Sequence, residues 1–393
     1  MTTDSVVIVG VARTPMGSLL GELSGLAAHE LGAAAIRAAV GRAGIEPSTI
    51  DEVLMGNCLM AGQGQAPARQ AALGAGLPVS VGAVTLSKMC GSGLRTMMFA
   101  HDMLRAESAQ VVVAGGMESM SNAPHLMHVR KGIRYGAGQF FDHMALDGLE
   151  DAYERGRSMG EFAEDCVTKY QFSRQQQDEF AIRSTERALK AQAEGYFSWE
   201  MESVNVPGKS GSVLIDRDEQ PAKAKLDKVA SLKPAFKAGG TITAANASSI
   251  SDGAAALVLM RESDARRLGR TPLARIRAHA VHAQEPHWFT TAPIGAIEKV
   301  LKKAGWATDQ VDLWEINEAF AAVPLAAMVE LGLSADVVNV HGGACALGHP
   351  IGASGARIVV TLMGALRQRG LQFGVATLCI GGGEAAAMAL EII

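Results

Sequence analysis

The chain has 393 residues, of which 48% are hydrophobic and 19% are charged, and its formal net charge is −4. A single hydrophobic core rarely grows to this size, so we expect at least two lobes, and 44 glycines favour an α/β protein with many tight turns. The slightly acidic balance gives no basic surface field, which excludes nucleic acid as a partner.

Five cysteines, at positions 58, 90, 166, 345 and 379, are scattered through the chain. An odd number without a short-range framework indicates reduced thiols and predicts a cytoplasmic protein. The first ten residues lack the basic stretch and apolar run of a secretory signal. No uninterrupted apolar segment reaches the length that crosses a bilayer, so we expect no membrane partner.

The first third of the chain alternates between strand and helix patterns. Residues 6–11 form a β-branched run, and residues 27–43 are alanine-rich with apolar positions at helical spacing, closed by Gly44. The same criteria predict further strands at 53–55, 81–86 and 110–114, with helices at 66–73 and 94–105. Such alternation is typical of a parallel sheet covered by helices.

Residues from about 122 to 250 change character. The segment 122–141 has no clear period, which indicates a long excursion. Ser158 with Glu161, and Ser173 with Gln176, have the spacing of capping boxes that open helices. We therefore expect an inserted, partly helical layer that serves as a lid, a binding loop or an assembly arm. The apolar run 254–260 predicts a return to the first sheet.

The last third repeats the alternation of strands and helices found in the first third. Strands are predicted at 273–280, 311–316, 337–340 and 373–379, with helices from 293 to 305, up to 331 and after Gly355. The sequence DEVLMGN at 51–57 is echoed by DLWEIN at 312–317. We infer two similar α/β halves with a site between them. The predicted domains are 1–121, completed by about 251–270, then an inserted loop domain at 122–250 and a second half at 271–393.

Cys90 is followed by Gly91, Ser92 and Gly93 and lies between a predicted strand and a predicted helix. The positive end of that helix favours a thiolate, which would make Cys90 a nucleophile. The glycines leave backbone N–H groups free to hold a developing oxyanion. The alternative is a small core cysteine beside packing glycines.

Three further residues have complementary chemistry. His349, in the glycine-dense turn GHPIGASG, could take the Cys90 proton, or it could bond a backbone carbonyl instead. Cys379 ends a predicted strand and meets three glycines, which makes it a candidate acid/base. Asn317 follows another strand, where it could orient a water or a carbonyl, or cap a helix.

Other motifs carry weaker signals. His341, Cys345 and His349 have the spacing of a metal-binding helix face, but the glycines among them argue against a helix, so we predict no metal site. The triplet 62–64 is too short for a dinucleotide fingerprint. Five lysines could gather around a phosphate-bearing ligand or form a solvated face, and they stand at positions 223, 225, 228, 233 and 237.

Taken together, these motifs resemble the thiolase family, of the acetyl-CoA acetyltransferase type, over essentially the whole chain. The resemblance rests on KMCGSGLR at 88–95, VVVAGGMESMS at 111–121, GNCLMAGQGQAPARQA at 56–71, LKPAF at 232–236, GTITAANASSISDGAAALVL at 240–259, NEAFAA at 317–322, GGACALGHPIGASGAR at 342–357 and CIGGGEA at 379–385. It implies a duplicated fold of two similar mixed sheets with helices in αβαβα layers, plus an inserted loop domain.

The resemblance also implies a reversible Claisen condensation between coenzyme A thioesters. Cys90 would accept the acyl group with His349 as its base, and Cys379 would deprotonate the second acyl-CoA. One oxyanion site would use the N–H groups of Cys90 and Gly381, and the other His349 with a water held by Asn317. Acyl-CoA and CoA are then the small-molecule partners, no metal or nicotinamide cofactor is expected, and a homo-oligomer is implied, a tetramer or a dimer, with 122–141 resembling the family's tetramer-forming loop.

By the same resemblance, eleven residues would line the pantetheine tunnel and acyl pocket: Leu149, Ser158, Met159, Ala235, Phe236, Ala247, Ser248, Ile250, Phe289, Ala319 and Phe320. Ser158 stands where many acetoacetyl-type members have histidine, and Phe289 stands where methionine is usual. A thiolase of broader chain length therefore remains an alternative. A ketoacyl-synthase-like condensing enzyme is disfavoured by the cysteine of CIGGG, and a non-catalytic acyl-CoA carrier by the presence of Cys90, His349 and Cys379 together.

Overall fold

The computed structural model describes residues 4–208 and 211–393. The strands are β1 (Val6–Arg13), β2 (Gly17–Ser18), β3 (Glu52–Gly56), β4 (Gly82–Leu86), β5 (Val111–Ser119), β6 (His125–Leu126), β7 (Phe141–Asp142), β8 (Val204–Gly208), β9 (Gly211–Ile215), β10 (Ser251–Arg261), β11 (Ala274–Ala283), β12 (Leu313–Ile316), β13 (Phe373–Ile380) and β14 (Glu384–Ile392).

The helices are α1 (Ala28–Ala43), α2 (Pro67–Gly74), α3 (Ser92–Arg105), α4 (Met159–Tyr170), α5 (Arg174–Ala193), α6 (Glu219–Lys223), α7 (Glu262–Arg267), α8 (Ala292–Ala304), α9 (Ala322–Leu331), α10 (Ala344–Leu347) and α11 (Ile351–Arg369). Within the described ranges, none of these helices combines the length and apolar character needed to span a membrane. Most agree with the sequence prediction to within a few residues, but α11 begins ahead of Gly355.

The main sheet has ten strands, nine of them in the order β12-β13-β14-β11-β1-β10-β5-β3-β4, with β2 beside β10. In the first half, β3 runs parallel to β4 and β5, while β10 is antiparallel to β5 and β1. The second half repeats this pattern, because β12 is parallel to β13 and β14 is antiparallel to β13 and β11. The predicted duplication is confirmed, and β1 and β11 join the two halves through two residue pairs.

The prediction of a strand at 337–340 is wrong. Only Val338 forms a bridge there, parallel to Trp314, in the place that β4 occupies beside β3 in the first half. The side chain of Asn339 explains the loss. It accepts from the N–H of Ile316 and donates to its carbonyl, both at 2.8 Å, which occupies the backbone groups that a full strand would need.

Two buried helices form the middle of the molecule. Helix α3 packs against α11, and both helices contact strands of both halves, while α1 and α2 cover the outside of the first half and α8 that of the second. The first sixteen residues of α11 are all buried. These are the αβαβα layers of the predicted fold.

Glycines let the two central helices approach closely. A Cβ on Gly355 would lie 2.3 Å from the backbone nitrogen of Leu94, and a Cβ on Gly93 would lie 2.8 Å from that of Ala356. Both contacts are too short for any other residue. The helix crossing therefore brings the start of α3, after Cys90, beside the start of α11, after His349.

The inserted segment is partly helical, as predicted. Both capping boxes are formed at least in part: the N–H of Ser158 donates to Glu161, and Ser173 and Gln176 bond each other reciprocally at 2.8 and 3.1 Å. The predicted return of 254–260 is confirmed, since it lies in β10 between β1 and β5.

Replacement of Gly355 by alanine tests the helix crossing. The added methyl must push α3 and α11 apart, so we expect Gly355→Ala to lower the free energy of unfolding by about 2 kcal/mol or more and to reduce activity. Urea unfolding measures the first effect. Gly41→Ala is the matched control, because it lies in α1 with nothing within 4 Å of the added methyl and should stabilise by about 0.5–1 kcal/mol. A loss at Gly355 no greater than at Gly41 would contradict the close crossing.

Candidate active site

Cys90 lies in a strained turn at the entrance to α3. Met89 adopts φ 45°, a left-handed conformation that is unusual for a side chain of this size. Ser92 holds the turn, since its hydroxyl accepts from the N–H of Lys88 at 2.8 Å and donates to the carbonyl of Met89 at 2.7 Å. Gly91 is required because a Cβ there would lie 2.3 Å from Ile380. The turn therefore fixes Cys90 at the end of the second half's strand β13.

His349 lies in the corresponding position of the second half, before α11. Gly348 has φ 101°, and a Cβ on it would meet the hydroxyl of Ser251 at 2.1 Å. The Nδ1 atom of His349 is 2.5 Å from the Ser354 hydroxyl, which itself donates to the carbonyl of Pro350 at 2.9 Å. With that hydroxyl proton donated to Pro350, the tautomer that satisfies the contact with Ser354 carries its proton on Nδ1. Nε2, which is buried without a hydrogen-bond partner, then presents a lone pair.

Cys379 lies near the end of β13, paired with Ala385 of β14. Its side chain is fully buried, and the strands are joined by glycines of which Gly382 and Gly383 have φ near 90°. A Cβ on Gly383 would lie 2.4 Å from the carbonyl oxygen of Gln284, so the turn depends on glycine. Cys379 does not line the cavity described next, but it lies close enough to Cys90 for that thiol to raise its pKa further, beyond the effect of burial.

One cavity of about 350 Å³ contains the predicted site. Cys90, His349 and Gly381 line it, and so do all eleven residues that the resemblance assigned to the tunnel and pocket. Most of the remaining wall is apolar, with Phe236 and Phe320 in edge-to-face contact at 5.8 Å. The cavity brings together segments that are up to 292 residues apart in sequence, from position 89 to position 381.

Two of the predicted catalytic residues lie behind the cavity wall. Cys379 and Asn317 are almost completely buried and are not among the lining residues. The Asn317 amide nitrogen is 3.5 Å from Nδ1 of His349, and Arg357 reaches the Asn317 side-chain oxygen at the same distance. Arg357 also donates to Glu315 at 2.8 Å, and this buried pair holds the site from beneath. Neither partner was predicted from the sequence.

Burial sets the protonation states of the cysteine and the histidine. Removal from water raises the pKa of Cys90 to about 11, although the backbone N–H groups of Gly381 and Cys90 lower it in part. Burial lowers the pKa of His349 to about 3, and the positive charge of Arg357 acts in the same direction. The backbone N–H groups act in the direction that the helix argument predicted, but desolvation outweighs them. The pair rests as a neutral thiol and a neutral imidazole, and attack on a substrate requires proton transfer between them.

The pH dependence of alkylation tests these charge states. Because the raised pKa leaves little thiolate at neutral pH, the rate of Cys90 modification by iodoacetamide should rise about tenfold per pH unit from pH 7 to 10, without a plateau. Mass spectrometry of the Cys90 peptide measures the rate, with a small free thiol as the reference. A plateau below pH 8 would instead indicate a preformed thiolate–imidazolium pair.

Glu118 and Asn57 are the first half's counterparts of Cys379 and Asn317. Asn57 follows β3 as Asn317 follows β12, and Glu118 stands two residues beyond the last pair of β3 and β5, as Cys379 does for β12 and β13. The Glu118 carboxylate accepts from the N–H of Gly352 at 2.9 Å, and from two further N–H groups in the loop after β3. The first half therefore uses this position to anchor the helix that follows His349. Glu118 lies in the motif GGMES at 115–119, from which the sequence could have identified it as a candidate site residue.

A second cavity of about 330 Å³ shares Ala244 and Ser249 with the first. Lys223, Lys225 and Lys228 line it while remaining exposed to solvent, whereas Lys233 and Lys237 do not line it. Lys223 is bound to Glu219, which leaves Lys225 and Lys228 as the available positive charges.

The segment around His341 and Cys345 forms no metal-binding face. It is helical only over Ala344–Leu347, so the prediction of no helix is wrong for these four residues. His341 stacks on Tyr196 with ring centroids 5.2 Å apart, whereas His349 faces the first cavity.

Comparison with known proteins gives the family. Residues 6–263 match the model of the thiolase N-terminal domain, and residues 270–392 match that of the thiolase C-terminal domain. The chain belongs to the thiolase family. Acetyl-CoA acetyltransferase 2 of Arabidopsis thaliana is 51% identical, covering 99% of this chain and 97% of the relative. Acetyl-CoA acetyltransferase of Rhizobium meliloti is 48% identical and covers both chains completely.

Solved thiolase structures confirm the predicted fold. The Bacillus anthracis acetyl-CoA acetyltransferase superposes with a TM-score of 0.97 at 41% identity, covering 100% of this chain and 99% of that one. The Acat5 thiolase of Ascaris suum, solved in complex with coenzyme A, has a TM-score of 0.93 at 41% identity, covering 99% and 100%. This thiolase is an enzyme of the acyltransferase class.

Proposed function

We propose that this thiolase condenses two acetyl-CoA molecules to acetoacetyl-CoA and CoA, and runs the reverse thiolysis, through an acyl-enzyme on Cys90. The observation that carries the proposal is the shared cavity, in which Cys90, His349 and Gly381 face one space with Cys379 directly behind. A nucleophile, a base and a second thiol are the groups that such a two-step acyl transfer needs.

In the first half-reaction, Nε2 of His349 takes the Cys90 proton as the sulfur attacks the thioester carbonyl. The carbonyl oxygen becomes an oxyanion, which the N–H groups of Cys90 and Gly381 stabilise. Both N–H groups already act on the Cys90 sulfur in the resting protein, which supports this role. CoA leaves with the proton from His349, and the acyl group remains on Cys90.

In the second half-reaction, the Cys379 thiol first gives its proton to His349, which is neutral again, and the resulting thiolate removes a proton from the methyl group of the second acetyl-CoA. His349 then passes its proton to the Cys90 thiolate when that group leaves, which restores the resting state. Burial raises the pKa of Cys379 well above that of an ordinary thiol, so its thiolate is a strong base suited to a weak carbon acid. The enolate oxygen is held by His349 and by a water that Asn317 orients. The carbanion then attacks the acyl carbon and releases Cys90, and in thiolysis the Cys379 thiol returns the proton.

The coenzyme A moiety would extend from the first cavity into the second. The shared residues Ala244 and Ser249 support a continuous path, and Lys225 and Lys228 offer charges for the phosphates at the nucleotide end. Coenzyme A thioesters are the substrates, and no step above requires a metal or a nicotinamide.

Chain-length preference decides between the acetoacetyl-CoA enzyme and a thiolase of broader range. Phe289 is 3% exposed and lines the first cavity, and the relatives reported above carry the name acetyl-CoA acetyltransferase, which favours the shortest chain. Ser158 donates its hydroxyl and its N–H to Glu161, so it caps α4 as well as lining the cavity. Steady-state thiolysis over a series of 3-oxoacyl-CoA chain lengths tests this, with the highest kcat/KM expected for acetoacetyl-CoA.

The protein would act as a cytoplasmic homo-oligomer, a tetramer or a dimer. Large apolar side chains are exposed on the excursion 122–141, where Tyr135 is 98% and Phe140 67% exposed. Such exposure on one projecting segment is typical of an assembly surface.

Release of CoA from acetyl-CoA distinguishes an enzyme from a protein that only carries acyl-CoA. We expect this release and expect it to depend on the thiol of Cys90.

A further inference from the structure

A cluster of two histidines and one aspartate lies outside the catalytic cavity. His101 and Asp102 come from the last turns of α3, and His279 comes from β11, so the cluster spans the two halves of the fold. Among the described residues, these form the one group of three potential metal ligands whose ligating atoms all lie within 4.8 Å of one another. None of the three lines the catalytic cavity.

The three ligating atoms form a nearly equilateral triangle. Nδ1 of His101 is 3.1 Å and Nε2 of His279 is 3.0 Å from the same oxygen of Asp102, and the two nitrogens are 3.2 Å apart. No arrangement of protons on two neutral imidazoles satisfies all three sides, because at least one side always joins two lone pairs or two N–H groups. A cation above the triangle would accept all three lone pairs at once.

We propose that His101, Asp102 and His279 bind a divalent transition-metal cation of the Zn²⁺ type. The centre of such a triangle is about 1.8 Å from each corner, so a cation about 2.0–2.1 Å from each atom would lie about 1 Å out of the plane. That position leaves the fourth tetrahedral place open to water. Two imidazoles and one carboxylate are ligands that Zn²⁺, Cu²⁺, Ni²⁺ and Co²⁺ accept, whereas Mg²⁺ and Ca²⁺ prefer oxygen.

The surroundings suit such an ion. Burial lowers the pKa of both imidazoles, Asp102 opposes this, and the nearby cations Arg105 and Lys303 act in the direction of burial. Each of these cations is also bound to a backbone carbonyl, Arg105 to that of Asp4 and Lys303 to that of His279. The Asp102 side chain is 55% exposed and provides the path of entry.

Because the ligands come from α3 and β11, the ion would add a further link between the two halves, beside the β1–β11 pairing and the α3–α11 crossing. Binding to the folded state alone stabilises it by mass action. Zn²⁺ at about 100 times its dissociation constant should raise the melting temperature by about 3 °C for a chain of this length. The catalytic residues are untouched, so the effect should appear without a change in thiolysis at saturating substrate.

Cobalt spectroscopy on the chelator-treated full-length protein tests the proposal. We expect one equivalent of Co²⁺ per chain, with the visible bands of four-coordinate cobalt and no sulfur-to-cobalt charge-transfer band. His279→Ala and His101→Gln should each weaken binding at least about 10- to 100-fold, the loss typical of removing even an outer partner of a ligand. His125→Ala, which changes an exposed histidine of β6, is the control and should bind as the unmodified chain does.

Two outcomes would overturn the proposal. The first is equal binding of Co²⁺ by the unmodified protein and both variants, and the second is a spectrum dominated by the sulfur band, which would put the metal on the cysteines. Having two variants on different elements guards against misfolding of one, and the thiolysis rate of each reports whether the fold is intact. Failure of this test would leave the proposed reaction unaffected, since that reaction is measured separately.

Discussion

Cys90→Ala should abolish acyl-enzyme formation and lower kcat by at least about 10⁴-fold. Cys90 is the one thiol among the residues that line the catalytic cavity, and the hydroxyl of Ser158, which also lines it, is bound to Glu161. The measurement is retention of radiolabelled acetyl groups on protein incubated with acetyl-CoA and then denatured.

Cys166→Ala is the matched control for this variant. It makes the same change from thiol to methyl at a buried cysteine of α4 that does not line the cavity, so labelling should persist. A covalent adduct that survives in Cys90→Ala would show that another residue carries the acyl group.

Cys379→Ser should separate the two half-reactions. A hydroxyl is a far weaker acid than a thiol, so proton transfer to and from carbon should slow by at least about 10²-fold, while transfer of the acetyl group to Cys90 continues. The acetyl-enzyme should then accumulate in an amount close to one per site. Rapid-quench measurement of labelled protein, beside the rate of acetoacetyl-CoA formation, distinguishes the two steps.

Equal loss of both steps would refute a separate role for Cys379. The position of its side chain makes the test necessary, because the thiol is fully buried and is not among the residues that line the cavity. Cys379→Ala is the control, because it removes the thiol without burying a hydroxyl. A lower melting temperature for Cys379→Ser than for Cys379→Ala would show that the buried hydroxyl disturbs the serine variant.

The regular elements could be read from the sequence because their signals are local. Apolar periodicity and a helix-ending glycine predicted α1 nearly to the residue, and capping boxes predicted where α4 and α5 begin, since each signal lies within or beside the element that it defines. The prediction of a short parallel strand at 337–340 was wrong because the outcome there is decided by a contact distant in sequence. Its pairing depended on Asn339 occupying the backbone of Ile316, more than twenty residues away.

The sequence by itself determined the kind of chemistry, because the identity of Cys90, His349 and Cys379 and their glycine-bearing turns is written in short motifs. Only the tertiary structure decided how these groups are charged and whether they meet. Desolvation depends on every segment that closes the cavity, and it made Cys90 a neutral thiol where the local helix argued for a thiolate. Proximity likewise depended on Gly93 and Gly355, where two central helices cross too closely for any side chain.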